Sequence, residues 1–175
     1  FSENQYAILS GPSFASEVVI SLPTAVTLAS NCSSVSKFIC NKLSSKYFRC
    51  YSSSDVIGVE FCGALKNVYA LGAGICDGLN LGHNAKAAFI TRSMAEMARI
   101  IGSISPNSDQ SLQGLSGIGD LQLTCATGMS RNYTFGLDLI RSPDFRTKQL
   151  CEGFTTLEAM RKIVQARGII APILI

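Results

Sequence analysis

Lys66 and Asn67 stand side by side in an apolar, glycine-spaced run, Gly58-Val59-Glu60-Phe61-Cys62-Gly63-Ala64-Leu65-Lys66-Asn67-Val68-Tyr69-Ala70. An ammonium held among apolar neighbours is costly, because desolvation disfavours its charged form and draws its pKa toward neutrality. A lysine in such a place can act as acid or base. The same residues also suit a lysine that snorkels, with its stem along a buried helix and its head in water. A second candidate is Gly114-Leu115-Ser116-Gly117-Ile118-Gly119-Asp120-Leu121-Gln122-Leu123-Thr124, a glycine-rich loop running into a helix. Asp120 and Thr124 lie four residues apart and so share a helix face. A carboxylate there can orient a lysine or a substrate hydroxyl, or simply cap the helix. Ser130-Arg131-Asn132 falls where a further helix should start, and unsatisfied N–H groups plus a guanidinium can hold a phosphoryl group. A serine cap followed by a solvated arginine is the plainer alternative. Glu152-Gly153-Phe154-Thr155-Thr156 reads on its own as an ordinary cap and first turn.

The elements that must position these groups are long and apolar. Of 175 residues, 47% are hydrophobic and only 15% charged, which argues for a well-packed globular chain and against disorder. A net charge of +3 without a dense Lys/Arg cluster argues against nucleic-acid binding and leaves small anionic substrates open. Seven cysteines (Cys32, Cys40, Cys50, Cys62, Cys76, Cys125, Cys151) include no C-x-x-C pair, so they read as small core hydrophobes in a reducing compartment. The lone His83 has no partner for a metal site or a triad and reads as a loop residue. Val56 to Cys76 approaches membrane-spanning length, but Glu60 and Lys66 within it favour a buried core helix.

Up to about Ser54 the chain alternates strand and helix: strands at Tyr6 to Leu9, Ala25 to Ala29 and Tyr47 to Tyr51, with a helix capped by Ser33 or Ser34 and ending near Leu43. This is a βαβ remnant. After Ser54 helix follows helix: Val56 to Cys76; Ala85 to Ile101, capped by Asn84, stopped at Gly102 and carrying Ala87, Ile90, Met94, Met97 and Ile101 on its core face; one from Gly119-Asp120; one from Ser130; and Thr155 to Arg167, stopped at Gly168. Phe1 to Ser10 is neither a signal peptide nor a helix start. Ala171 to Ile175 reads as the opening of another helix.

In order along the chain, Gly11-Pro12-Ser13-Phe14-Ala15 with Glu17, Pro23-Thr24-Ala25, the long block from Gly58 to Arg92, GLSGIGDLQLTC, Ser130-Arg131-Asn132 and the EG-x-T element resemble NAD(P)-dependent glycerol-3-phosphate dehydrogenase of the bacterial type. The resemblance runs from about Leu9 to Thr156. It implies a mainly α fold: residues 55–175 as an all-helical substrate domain like the C-terminal domain of 6-phosphogluconate dehydrogenase, and residues 1–54 as the end of a Rossmann-type NAD(P)-binding domain. No G-x-G-x-x-G precedes Gly11, so the resemblance further implies that this polypeptide alone binds NAD(P)H poorly and turns over negligibly. The stretch from Ile140 to Gln149 is shorter than in the family, which weakens the placement of Glu152.

The implied activity is interconversion of dihydroxyacetone phosphate and sn-glycerol 3-phosphate by hydride transfer with NAD or NADP, in the cytoplasm, supplying phospholipid synthesis. The resemblance makes Lys66 the proton donor and Asp120 a carboxylate that positions this lysine or the substrate oxygens, both within the substrate site. Gly11, Ser13, Asn67, Thr124, Ser130, Arg131 and Asn132 would bind substrate, and Ala15, Arg131 and Glu152 would face the cofactor. It calls for no metal, no nucleic acid and no stable membrane insertion, and apolar helix faces allow a homodimer. Two alternatives stay open: another two-domain dehydrogenase of the hydroxyacid or 6-phosphogluconate type, or a non-catalytic helical dimerisation module.

Overall fold

The computed structural model describes residues 6–106, 108–126, 128–142 and 151–175. The α/β part comes first. Strand β1 (Ala7–Ser10), helix α1 (Ala15–Val19), β2 (Thr24–Ser30), α2 (Ser33–Leu43) and β3 (Phe48–Ser53) form a three-stranded sheet in the order β1-β2-β3 with its helices. β2 and β3 are parallel, joined through α2 as a βαβ unit, whereas β1 runs antiparallel to β2 with Ser10 opposite Thr27. Val26 and Leu28 of β2, Cys40 of α2 and Cys50 of β3 make the small core beneath α2.

Among the described residues seven helices follow: α3 (Val56–Gly78), α4 (Gly82–Ile104), α5 (Asp109–Gln113), α6 (Asp120–Ala126), α7 (Arg131–Arg141) and α8 (Glu152–Arg167), with a wide π-helical turn at Leu115–Gly119 between α5 and α6 as the seventh. α3 is the axis of this bundle. It is long and apolar enough to span a bilayer, yet 56% of its most apolar window is buried against other helices, as a core helix should be. Asp55 caps it, accepting from Gly58 N at 2.9 Å, and also accepts from Ser108 Oγ (3.0 Å) and Ser111 Oγ (2.5 Å), so the cap ties α5 to the start of α3. Leu65, Tyr69 and Ala73 of α3 are wholly buried with Met97, Ile100 and Ile101 of α4, Leu121 of α6 and Val164 of α8.

α7 crosses α3 with no side chains between the backbones. A Cβ on Gly74 would lie 2.0 Å from Tyr133 O, and a Cβ on Gly136 would lie 2.0 Å from Leu71 O, so each helix needs its glycine at the crossing. This close approach brings the N-terminus of α7 beside Lys66. At the other end of the crossing Asp77 accepts from Lys86 Nζ of α4 (2.7 Å) and from the Tyr133 hydroxyl of α7. Glu96, wholly buried, accepts from Tyr69 OH at 3.2 Å and from Ile173 N at 2.8 Å, fastening the C-terminal segment to the core. Burial, and then the Glu96 carboxylate, push the Tyr69 hydroxyl pKa upward.

Several local expectations need correction. α4 starts at Gly82 and passes through Gly102 to Ile104, because nothing lies near Gly102 to penalise or exploit its missing side chain. His83 therefore sits in the first turn of a helix, and Ala87 is exposed while Met97 and Ile101 are buried. Cys32 occupies the N-cap of α2 without a side-chain capping bond, and α8 begins at Glu152 rather than Thr155. Cys32 and Cys151 are partly exposed, unlike the five buried cysteines. The residues after Ala171 make a single turn instead of a helix. Most of the Ile140 to Gln149 stretch, and Phe1 to Gln5, lie outside the described residues.

Two stability outcomes follow from these contacts. Gly136→Ala should cost about 1–3 kcal/mol by overpacking, whereas Gly102→Ala should stabilise by up to about 1 kcal/mol; urea unfolding distinguishes them. Burial acts to raise the Asp77 pKa, but hydrogen bonds from Lys86 and Tyr133 outweigh it and hold the carboxyl below its usual value. A depressed carboxylate pKa contributes stability above the unfolded value near pH ~4 and loses it as pH falls through the folded value. Asp77→Asn should therefore flatten the acid limb of the stability curve, with the remainder of the pH profile unchanged.

Candidate active site

Gly11 follows the last residue of β1, at φ +143°, where a side chain is strained, and a Cβ there would meet the Val26 backbone at 3.0 Å. The turn it makes aims its N–H at Asp120 Oδ2, 3.2 Å away. The same oxygen takes a hydrogen bond from Lys66 Nζ in a direct ion pair. Thr124 donates to Asp120 O at 2.6 Å and lies 3.2 Å from Oδ1, the contact expected of residues four apart on one helix face. The Asp120 side chain is 3% exposed and that of Lys66 22%, so the carboxylate is buried and fully partnered while the ammonium keeps one side open.

The open side faces a cavity of about 330 Å³. Its walls hold Gly11, Ser13 and Ala15 from the β1–α1 turn, and Lys66 and Asn67 from α3. They also hold Asp120 and Thr124 from α6, Ser130, Arg131 and Asn132 at the start of α7, and Glu152 at the start of α8. All eleven residues singled out from the sequence thus meet in one space. Phe14, Leu123 and Met129 line it as well; the first two lie within motifs singled out above but were not assigned to the site, since apolar side chains there look like any others.

The wall formed by α7 has the chemistry of an anion site. Ser130 is the N-cap of α7 and accepts from Tyr133 N at 3.4 Å, and with Arg131 and Asn132 it brings the first turn of an eleven-residue helix, where N–H groups lack helical partners, to the cavity. Arg131 pairs with Glu152 at 3.2 Å, but both side chains are mostly exposed, and a surface pair of this kind contributes little, so the guanidinium can be recruited by a ligand. Asn132 is buried, and its Oδ1 accepts from Gly153 N at 2.9 Å and Cys151 Sγ at 3.3 Å, which docks the start of α8 and leaves its Nδ2 hydrogens to offer. Asn67 Nδ2 reaches Glu152 at 3.4 Å from the opposite wall. The arrangement therefore lines one cavity with a carboxylate-held ammonium and with anion-binding donors.

The comparisons with known proteins agree with one another. A family model described as NAD-dependent glycerol-3-phosphate dehydrogenase C-terminus matches residues 55–175, and its N-terminus counterpart matches residues 1–36. A glycerol-3-phosphate dehydrogenase, NAD(P)+, of Desulfovibrio desulfuricans is 47% identical over 174 residues, covering 97% of this chain and 52% of that protein. One of the same name from Brucella ovis is 44% identical over 172 residues, covering 98% and 52%. The crystal structure of glycerol-3-phosphate dehydrogenase from Coxiella burnetii superposes with a TM-score of 0.90 at 43% identity, covering 97% of this chain and 54% of that one. The chain thus spans about half the length of these relatives.

The role of Asp120 as the common acceptor predicts a graded response. Asp120→Ala should lower stability by about 1–3 kcal/mol, since it strands both Lys66 and the Gly11 N–H. Asp120→Asn, which keeps an acceptor for Gly11, should lose less. Urea unfolding that found the alanine variant as stable as the parent would mean the carboxylate holds nothing together.

Proposed function

Since the chain belongs to the NAD-dependent glycerol-3-phosphate dehydrogenase family, we propose that it forms the catalytic part of an enzyme interconverting dihydroxyacetone phosphate and sn-glycerol 3-phosphate with NAD or NADP. The observation that carries this reading is one cavity lined by both the Lys66–Asp120 pair and the N-terminus of α7. Residues 1–54 would be the end of the nucleotide-binding domain and residues 55–175 the substrate domain.

Adding a hydride to the ketone carbon leaves negative charge on its oxygen. Lys66 Nζ stabilises that charge and donates the proton, combining electrostatic with general-acid catalysis, and in the reverse direction it accepts the alcohol proton. Asp120 keeps the ammonium aimed and in turn is fixed by the Gly11 N–H and Thr124. The phosphate, away from the reacting carbon, is held by the α7 N-terminus, Arg131 and the Asn132 amide, so its binding energy fixes orientation. The bound nicotinamide would supply or take the hydride. The residues present fit that end of the cofactor: beside Lys66 an open space of about 450 Å³ is lined by Ile8, Leu9, Ser10 and Gly63.

The five buried cysteine thiols suit a reducing, cytoplasmic setting, and glycerol 3-phosphate made there would serve phospholipid synthesis. The matched relatives carry the glycerol-3-phosphate dehydrogenase name, and no observation favours a hydroxyacid substrate or a non-catalytic role.

In the full-length gene product, Lys66→Met should lower the rate of dihydroxyacetone phosphate reduction by NADH about 10²- to 10⁴-fold while the circular dichroism spectrum stays that of the parent. Unchanged turnover in the folded variant would remove Lys66 from the reaction.

A further inference from the structure

Tyr133 is the third residue of α7, directly after Arg131 and Asn132, and both its backbone and its side chain are engaged. Its N–H is the one that Ser130 Oγ accepts, and its carbonyl oxygen lies where Gly74 of α3 leaves room for it. The side chain is buried and does not line the cavity that holds Lys66. Its hydroxyl donates to Asp77 Oδ2 near the end of α3, and burial followed by that carboxylate push the hydroxyl up to about 12, so it is a donor at any working pH. Lys86 Nζ of α4 lies 5.6 Å from the centroid of the ring and donates to the same carboxylate oxygen at 2.7 Å. One side chain thus ties the first turn of α7 to both α3 and α4.

The α3–α7 crossing gives that tie a consequence for the site. Side chains that interdigitate between two helices resist sliding and rotation, because the ridges of one sit in the grooves of the other. At Gly74 and Gly136 the backbones touch directly, a contact that sets how near the helices lie more than it sets their register. The close side-chain fit of Ile140 over Gly78 comes two turns further along α7. At the start of α7 the register therefore falls to polar contacts: Asn132 Oδ1 holds α8 through Gly153 N at 2.9 Å, and the Tyr133 hydroxyl holds α3 and α4. Misplacing a binding group by about 1 Å is enough to cost a large factor in rate.

On the reading that the start of α7 holds the substrate phosphate, we propose that Tyr133 is a positioning residue for phosphate binding: its hydroxyl, anchored on Asp77, fixes the register in which the first turn of α7, with Arg131 and Asn132, meets the phosphate. Tyr133 acts through these residues and touches no substrate. Its loss is felt in the hold on the phosphate and not in proton transfer at Lys66.

The test is Tyr133→Phe in the full-length gene product, which keeps the ring and removes only the hydroxyl, set beside Tyr69→Phe. Tyr69 also donates to a carboxylate, but its partner Glu96 lies on α4 and fastens the C-terminal segment rather than α7. Tyr133→Phe should raise the KM for dihydroxyacetone phosphate about three- to tenfold with kcat near that of the parent, and should leave kcat/KM for unphosphorylated dihydroxyacetone unchanged. Tyr69→Phe should lower the melting temperature and keep the parent's KM for the phosphorylated ketone. An unchanged KM in Tyr133→Phe would overturn the proposal. So would equal losses on both ketones, or the same rise in KM in Tyr69→Phe, each the mark of general loosening. A parent enzyme that turns over the two ketones equally would overturn the phosphate reading itself and this proposal with it, an outcome visible before any variant is compared.

Discussion

One carboxylate oxygen, Asp120 Oδ2, receives both the Lys66 ammonium and the Gly11 N–H, and the geometry of the site depends on it. Those donors come from different parts of the molecule: Lys66 from the central helix of the bundle and Gly11 from the end of a strand in the sheet. A buried carboxylate is tolerable only when its lone pairs are taken, and here the requirement is met by drawing the sheet and the bundle onto the same atom. The ammonium is thereby held at the seam between the two parts, where it lines the cavity. The fold supports this arrangement at a distance: glycines at the α3–α7 crossing let α7 lie close enough that its first residues reach the wall of the same cavity.

Much of this was legible in the sequence because it rests on local pattern. The apolar length of α3, the Ser130 cap of α7 and Gly168 at the end of α8, where φ is +63°, are signals carried by a few adjacent residues. The short helices α1 and α5 and the π turn before Asp120 were not legible, since five residues are too few to show a hydrophobic period. The boundaries of α4 misled for a related reason: an isolated glycine stops a helix only when the chain turns there, and at Gly102 it does not.

The candidate site shows the same division. Its residue types were visible, and the resemblance gathered eleven of them into one site and offered Asp120 as a partner for Lys66, but residue spacing by itself showed no pairing. Lys66 and Asp120 are 54 residues apart, and Asn132 reaches Gly153 across 21, so neither contact has a spacing rule. Buried Glu96 passed unnoticed because its partners, Tyr69 and Ile173, are 27 and 77 residues away.

The central claim is that one cavity reads a ketone, through Lys66, and a phosphate, through the start of α7, on the same small molecule. It is tested most directly by comparing kcat/KM of the full-length gene product for dihydroxyacetone phosphate and for dihydroxyacetone, with NADH or NADPH in excess. The account predicts turnover of the phosphorylated ketone and a loss of about 10²-fold or more when the phosphate is removed, since the start of α7 then holds nothing. Equal turnover of both ketones, or activity confined to hydroxyacids or 6-phosphogluconate, would contradict it.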